Sequence, residues 1–141
     1  MARYAFTYAS VPESEGRMMD ELTSAVEGEG LSAGLRQAVL VAVSEAFTNA
    51  LTHGNRYDPL KRIWIELSVN DSQVIADIKD QGRGGLAGID RQQPPDQLSE
   101  SGRGMGLIRH YSDRVELMET SSGGLHVHIE FDRKNEKVIS T

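Results

Sequence analysis

The sequence predicts an α+β two-layer sandwich: a mostly antiparallel mixed sheet with helices on one face. Three observations carry that prediction. Segments with apolar residues at every second position occur near the start, in the middle and near the end of the chain. Two stretches of helical spacing separate the first such segment from the rest. The later strands come as pairs joined by short polar turns, the pattern of hairpins and not of βαβ crossovers.

Each element follows from its residues. Tyr4, Phe6 and Tyr8 alternate with Ala5 and Thr7, which predicts a short first strand. Pro12 and the run Glu13-Ser14-Glu15-Gly16 break it. A helix is expected from about Arg17 to Val26, with Met18, Leu22 and Val26 on one side, and Glu27-Gly28-Glu29-Gly30 ends it. The next helix is the clearest. Ser32 has the chemistry of an N-cap, and Gly54 stands where a C-terminal glycine would stop the run. At ~100° per residue, Val39, Leu40, Val43, Phe47, Ala50 and Leu51 gather on one side. Glu45, Asn49 and Thr52 form a second, polar stripe. Its neighbours Ala38, Val41 and Ala42 are small or apolar, which is unusual company for a solvated face.

Ile63, Ile65, Leu67 and Val69 then alternate with Arg62, Trp64, Glu66 and Ser68. Asn70-Asp71-Ser72 turns the chain, and Val74, Ala76 and Ile78 alternate again before Asp80-Gln81-Gly82-Arg83-Gly84-Gly85. The stretch from Gln81 to Arg103 is rich in glycine and proline and poor in large apolar residues. A loop of that length inside a compact domain is uncommon and usually functional. It closes on Gly102-Arg103-Gly104-Met105-Gly106-Leu107, inside which a short helix to about Tyr111 begins. Val115 and Leu117 mark a strand, Ser121-Ser122-Gly123-Gly124 a turn, and Leu125, Val127, Ile129 and Phe131 a last strand alternating with His126, His128 and Glu130. The tail from Lys134 is polar and expected to fray.

With 141 residues the chain fits one domain, 1–141, since domains commonly run ~100–200 residues. At 38% apolar and 26% charged residues it belongs with ordinary globular proteins and not with disordered chains. There is no cysteine, which excludes a disulfide scaffold, a thiolate metal site and a cysteine nucleophile. The net charge is −6 and the basic residues are scattered, so a direct nucleic-acid partner is not expected. The first ten residues lack the apolar core of a secretion signal, and no segment approaches the ~18 apolar residues of a membrane span. A cytoplasmic protein without a membrane partner is the expectation.

Several residues could carry chemistry. Glu45 and Asn49 are four apart and share a helix face, where they could be two ordinary surface side chains. Alternatively, an amide oxygen at Asn49 is a hard ligand for Mg²⁺, and a carboxylate one turn away can take a proton from a hydroxyl. Asp80 could start a turn. It could also accept a hydrogen bond from the exocyclic amine of adenine, a choice that disfavours guanine, with Gly82 and Gly84 letting a base approach the backbone. The glycines of the 102–106 run can converge N–H groups on an anion, although a lone glycine triplet is a weak signal and neither a Rossmann nor a P-loop pattern is present. His53 ends the Glu45/Asn49 helix, as a cap or as a site contact. His126 and His128 share a strand face, match no zinc spacing, and are expected to be exposed and not ligating. Met105, Met118 and Trp64 read as packing residues.

In order along the chain, SEAFTNALTHG, DQGRG, a long loop and GRGMGL resemble the N, G1 and G2 boxes of the GHKL ATPases. Within that superfamily the chain resembles the anti-sigma factor serine/threonine kinases. The resemblance implies the Bergerat-type ATP-binding fold, with ATP and Mg²⁺ as cofactors. It implies that Glu45 is the catalytic base, Asn49 the Mg²⁺ ligand and Asp80 the adenine-reading aspartate beside Gly82 and Gly84. It places Gly102, Gly104 and Gly106, with Met105 and Leu107 in the same run, in the phosphate loop. Arg103 falls near the terminal phosphate, His53 among the nucleotide contacts and residues 85–101 in the ATP lid. One departure stands out: the family often has Gly-Thr in the last hairpin, where this chain has Gly124-Leu125.

The function so implied is phosphorylation of a STAS-domain anti-anti-sigma protein by a homodimeric kinase that also sequesters a sigma factor or similar partner. A non-catalytic ATP-binding switch module is the alternative, and Glu45 argues against it, because only phosphotransfer needs a base there. The short segment before the Glu45 helix leaves no space for a phosphoacceptor helix of a histidine kinase, and the length disfavours a gyrase-type ATPase.

Overall fold

The computed structural model describes residues 1–85 and 105–133. The phosphate-loop residues Gly102, Arg103 and Gly104, the expected lid beyond Gly85 and the polar tail lie outside the described residues. Five strands form one sheet: β1 (Ala2–Ala9), β2 (Arg62–Val69), β3 (Gln73–Lys79), β4 (Arg114–Glu119) and β5 (Leu125–Asp132). Their order across the sheet is β1-β2-β3-β5-β4, and every pairing is antiparallel. Helices α1 (Ser14–Glu27), α2 (Ala33–Asn49) and α3 (Met105–Tyr111) complete the described elements.

The alternation read in the sequence sets the two faces. Ile63, Ile65 and Leu67 of β2, Val74, Ala76 and Ile78 of β3, and Val127, Ile129 and Phe131 of β5 are all buried. They meet Met18 and Leu22 of α1, and Val39, Val43 and Phe47 of α2, in one core. Fully burying a side chain of this size contributes roughly 1.5–3 kcal/mol. The ring of Tyr8 meets that of Phe47 edge-on, 5.5 Å between centroids, which ties β1 to α2. The opposite face of the sheet carries polar residues and no covering helix among the described residues.

α2 begins as its sequence requires: the Ser32 side chain accepts from the Leu35 N–H at 3.2 Å. α1 starts at Ser14, a turn earlier than its apolar spacing suggests. Ser14 is buried and its hydroxyl donates to the Ala9 carbonyl at 2.7 Å, so the turn out of β1 is also the first turn of the helix. Trp64, expected to pack, lies half-buried on the open face instead, beside a cleft of about 500 Å³ that Thr7, Glu66 and Lys79 also border. Its even-numbered position in β2 points it away from the helices.

The end of α2 differs from the expectation of a glycine stop. Ala50–Gly54 continue the helix as one π turn. Thr52, in that turn, donates its hydroxyl to the Thr48 carbonyl at 2.7 Å, a back-bond that distorts helices. Gly54 does not adopt a left-handed conformation; the positive φ values after the helix fall on Arg56 (52°) and Tyr57 (58°). Gly54 is there for space, as the site shows.

Candidate functional site

The placement of β5 between β3 and β4 brings the start of β5 beside the end of β3. Asp80, the first residue past β3, therefore meets Leu125 twice. The Asp80 N–H donates to the Leu125 carbonyl at 3.1 Å, and the Leu125 N–H donates to Asp80 Oδ1 at 3.0 Å. The Gly82 N–H donates to the same oxygen at 2.9 Å. Asp80 is 4% exposed. Two backbone donors thus hold a buried carboxylate through one oxygen.

Three glycines make room for it. A Cβ on Gly54 would fall 2.2 Å from Asp80 Oδ2; one on Gly124 would fall 2.2 Å from the Asp80 carbonyl oxygen; one on Gly82 would fall 2.3 Å from the Gly54 carbonyl oxygen. No real side chain tolerates such distances. The π turn of α2, the end of β3 and the β4–β5 turn consequently close around one carboxylate.

Asn55 holds these parts together. It is buried, its Nδ2 donates to Ser10 Oγ at 2.6 Å and to the Arg62 carbonyl at 2.9 Å, and its Oδ1 accepts from the Gln81 N–H at 2.8 Å. One amide thus joins the exit of β1, the entry of β2 and the residue after Asp80.

Asn49, at the last turn of α2, is 7% exposed, and its Nδ2 has no hydrogen-bond partner among the described residues. Leaving a buried amide unpaired costs about 1–3 kcal/mol. An N–H donor without a partner among the described residues, on the helix carrying Glu45, fits a phosphate oxygen, whereas the Oδ1 of the same amide is the atom of the type Mg²⁺ takes. Glu45 is half-buried one turn earlier. His53 is exposed in the π turn, and Gly84 is exposed after Gly82 with a positive φ of 89°. At the start of α3, Met105 is buried, as a packing residue would be, Gly106 is half-buried and Leu107 is exposed.

The structure thus gathers Asp80, Gly82 and the π turn after Asn49 at one end of the helix layer. Sequence reading missed Gly54, Asn55, Gly124 and the Leu125 N–H. Gly54 and Gly124 were visible as glycines but read as stop and turn; Asn55 and Leu125 gave no local signal. The cleft of about 500 Å³ touches Asp80 and Gln81 from the open side of the sheet, whereas the Asp80 side chain is turned toward Gly54 on the helix side. The polar groups, not the cleft, locate the site.

A fold of this kind, with a buried strand-end aspartate and a polar α2, defines an ATP-site protein of the GHKL class. The chain belongs to the histidine kinase-like ATPase domain family, whose pattern matches residues 8–131. It is similar to an anti-sigma F factor of Oceanobacillus iheyensis, 26% identical over 140 residues, covering 96% of this chain and 95% of that protein. An anti-sigma F factor of a Geobacillus species is 31% identical over 96 residues, 64% of this chain and 65% of its own length. A solved structure of the RsbU and RsbW domains of a Mycobacterium tuberculosis protein superposes over 93% of this chain with a TM-score of 0.67 at 14% identity. This chain spans 32% of that longer one, and the likeness is one of fold. Among the described residues no helix is long and apolar enough to cross a membrane.

Proposed function

We propose that the chain is a cytoplasmic, ATP-dependent serine/threonine kinase of the partner-switching type. It would sequester a sigma factor or similar partner, and phosphorylate a STAS-domain anti-anti-sigma protein. The observation that carries this reading is the pairing of a buried, backbone-fixed Asp80 with the unsatisfied amide of Asn49 on the Glu45 helix. The anti-sigma names of the relatives support the partner class.

Asp80 would accept the adenine amine, a choice that disfavours the carbonyl of guanine. Gly82 and Gly84 leave the backbone open to the base. Asn49 would hold Mg²⁺ through its amide oxygen, and the ion would offset the charge of the phosphates. Glu45 would take the proton from the partner's hydroxyl as its oxygen bonds the γ-phosphorus and the bond to ADP breaks. By the resemblance, Gly106, Met105 and Leu107 would belong to the phosphate loop with Gly102, Arg103 and Gly104, His53 would contact the nucleotide from the π turn, and the lid would be 85–101, with residues 86–104 outside the described ones. The working unit is a homodimer of a single 1–141 domain.

The test is a transfer assay with radiolabelled ATP and a purified STAS-domain protein as acceptor, together with calorimetry of ATP and GTP. Transfer to a serine or threonine, with ATP bound more tightly than GTP, supports the reading. A chain that binds ATP and its partner but never transfers phosphate is a switch module without catalysis.

A further inference from the structure

On the open face of the sheet, away from the Asp80 site, β3 and β5 bring together two imidazoles and two carboxylates. His126 Nε2 lies 2.7 Å from Asp77 Oδ1, and His128 Nδ1 lies 2.7 Å from the same oxygen. His128 Nε2 lies 2.8 Å from Glu130 Oε2. Asp77 pairs directly with His128 in the strand register, and His126 is two residues along on the same face. These histidines are therefore half-buried and engaged, not exposed as their sequence suggested. Their spacing could not reveal Asp77, which comes from the neighbouring strand.

We propose that Asp77, His126 and His128 form a binding site for a transition-metal dication of the Zn²⁺ type. One donor atom from each side chain lies within 4.8 Å of the other two. In a tetrahedral zinc shell with bonds of ~2.0–2.1 Å, donor atoms stand ~3.3 Å apart. Opening the two 2.7 Å contacts by ~0.6 Å makes room for the ion. The donors sit on adjacent paired strands, so the backbone is already set. Two nitrogens and one oxygen suit zinc and its neighbours and not Mg²⁺. The outer ring is present too. With Nδ1 on the metal, His128 donates its Nε2–H to Glu130, the carboxylate–histidine–metal arrangement that fixes tautomer and orientation. Access is open, since the three side chains are 20%, 21% and 23% exposed. A water or a ligand group would complete the shell. The site is independent of the proposed kinase reading.

The test uses the full chain, freed of metal by chelation, without nucleotide. Calorimetry with Zn²⁺ should give one ion per chain, and Co²⁺ should give the visible bands of a tetrahedral site. His126→Asn and His128→Asn should each lose the bands. Glu130→Gln, a positioning change, should keep them shifted while weakening affinity roughly 10–100-fold. Nitrogen-detected spectra of the histidine rings in the unaltered chain provide a readout that no folding defect can obscure: Zn²⁺ should move the ring signals of His126 and His128. No bound ion, or Zn²⁺ shifts confined to His53 and His110, would overturn the proposal. ATP affinity should be the same in all three variants.

Discussion

Asp77 and Asp80 stand three residues apart at the end of one strand, and they are held in opposite ways. Asp80 faces the helices, is buried, and accepts from two backbone N–H groups through Oδ1. Asp77 lies half-buried on the open face of the sheet, with two imidazoles 2.7 Å from its Oδ1. The first arrangement leaves Oδ2 of Asp80 facing Gly54 at the π turn, and the second gathers three donor atoms within 4.8 Å of one another. Burial alone would distinguish the two residues only by degree. The groups they meet separate them: backbone amides at Asp80 Oδ1, two imidazoles at Asp77 Oδ1. Burial lowers the pKa of His128, but hydrogen bonds to Glu130 and Asp77 outweigh that and raise it overall. The partner Glu130 is lowered, chiefly by the same hydrogen bond from His128.

The strongest way to sharpen the contrast is to ask where chemistry occurs. Glu45→Gln keeps size and hydrogen bonding but cannot take a proton. Phosphotransfer to the STAS partner should slow by roughly 10²–10⁴-fold while ATP affinity stays within about twofold. Single-turnover rates beside calorimetry read both. Transfer at the unaltered rate would remove Glu45 as base.

Asp80→Asn comes next. It preserves shape, replaces a charged acceptor and introduces a donor. A charged hydrogen bond is worth roughly 1.5–3 kcal/mol, so ATP affinity should fall roughly 10–150-fold. Discrimination against GTP should narrow at the same time. Asp77→Asn should leave both unchanged and abolish metal binding instead. If the two substitutions had the same effect on ATP, the contrast between the faces would fail.

The carboxylate's supports can be broken without touching it. Asn55→Ala removes three hydrogen bonds between buried or half-buried groups and leaves partners without a bond. It should destabilise the fold by about 1–3 kcal/mol in urea unfolding. Gly54→Ala forces a methyl against Asp80 Oδ2 and should cost about 1–3 kcal/mol by overpacking. Both should weaken ATP binding more than they affect Zn²⁺. Unaltered stability in both variants would mean that the strand-end cluster is not the rigid frame described here.

These supports also mark how far the sequence could be read. The order of elements was legible because Ile63–Val69, Val74–Ile78 and Leu125–Phe131 each repeat with period two, and a misplaced register would expose every second apolar side chain. Ser32 was legible as a cap because its chemistry is local. Asp80 and Asn49 stood out as polar residues in apolar company. What stayed hidden was whatever depends on strand order. Nothing near Leu125 in the sequence says that its N–H will meet Asp80, because β5 must first insert between β3 and β4. The same insertion puts Asp77 against His128. Gly54 was read from its place after a helix, when the cause of the glycine is a carboxylate from another strand.

The smallest effect concerns Asn49, and here stability and function should move apart. Its amide nitrogen is buried without a partner among the described residues, a cost that an acceptor such as a phosphate oxygen would relieve. Asn49→Ala removes the unpaired group and adds helix propensity worth roughly 0.5 kcal/mol. It also loses some packing in a buried position. These terms oppose each other, and the net change in unfolding free energy should stay within about 1 kcal/mol, with no fall in melting temperature. The dependence of ATP affinity on Mg²⁺ should vanish in the same variant. A residue kept for packing would give the reverse result: a clear loss of stability, with metal dependence intact. Melting curves and paired ATP titrations, with Mg²⁺ and with chelator, decide between the two. The first outcome would mark Asn49 as a polar group buried for its ligand.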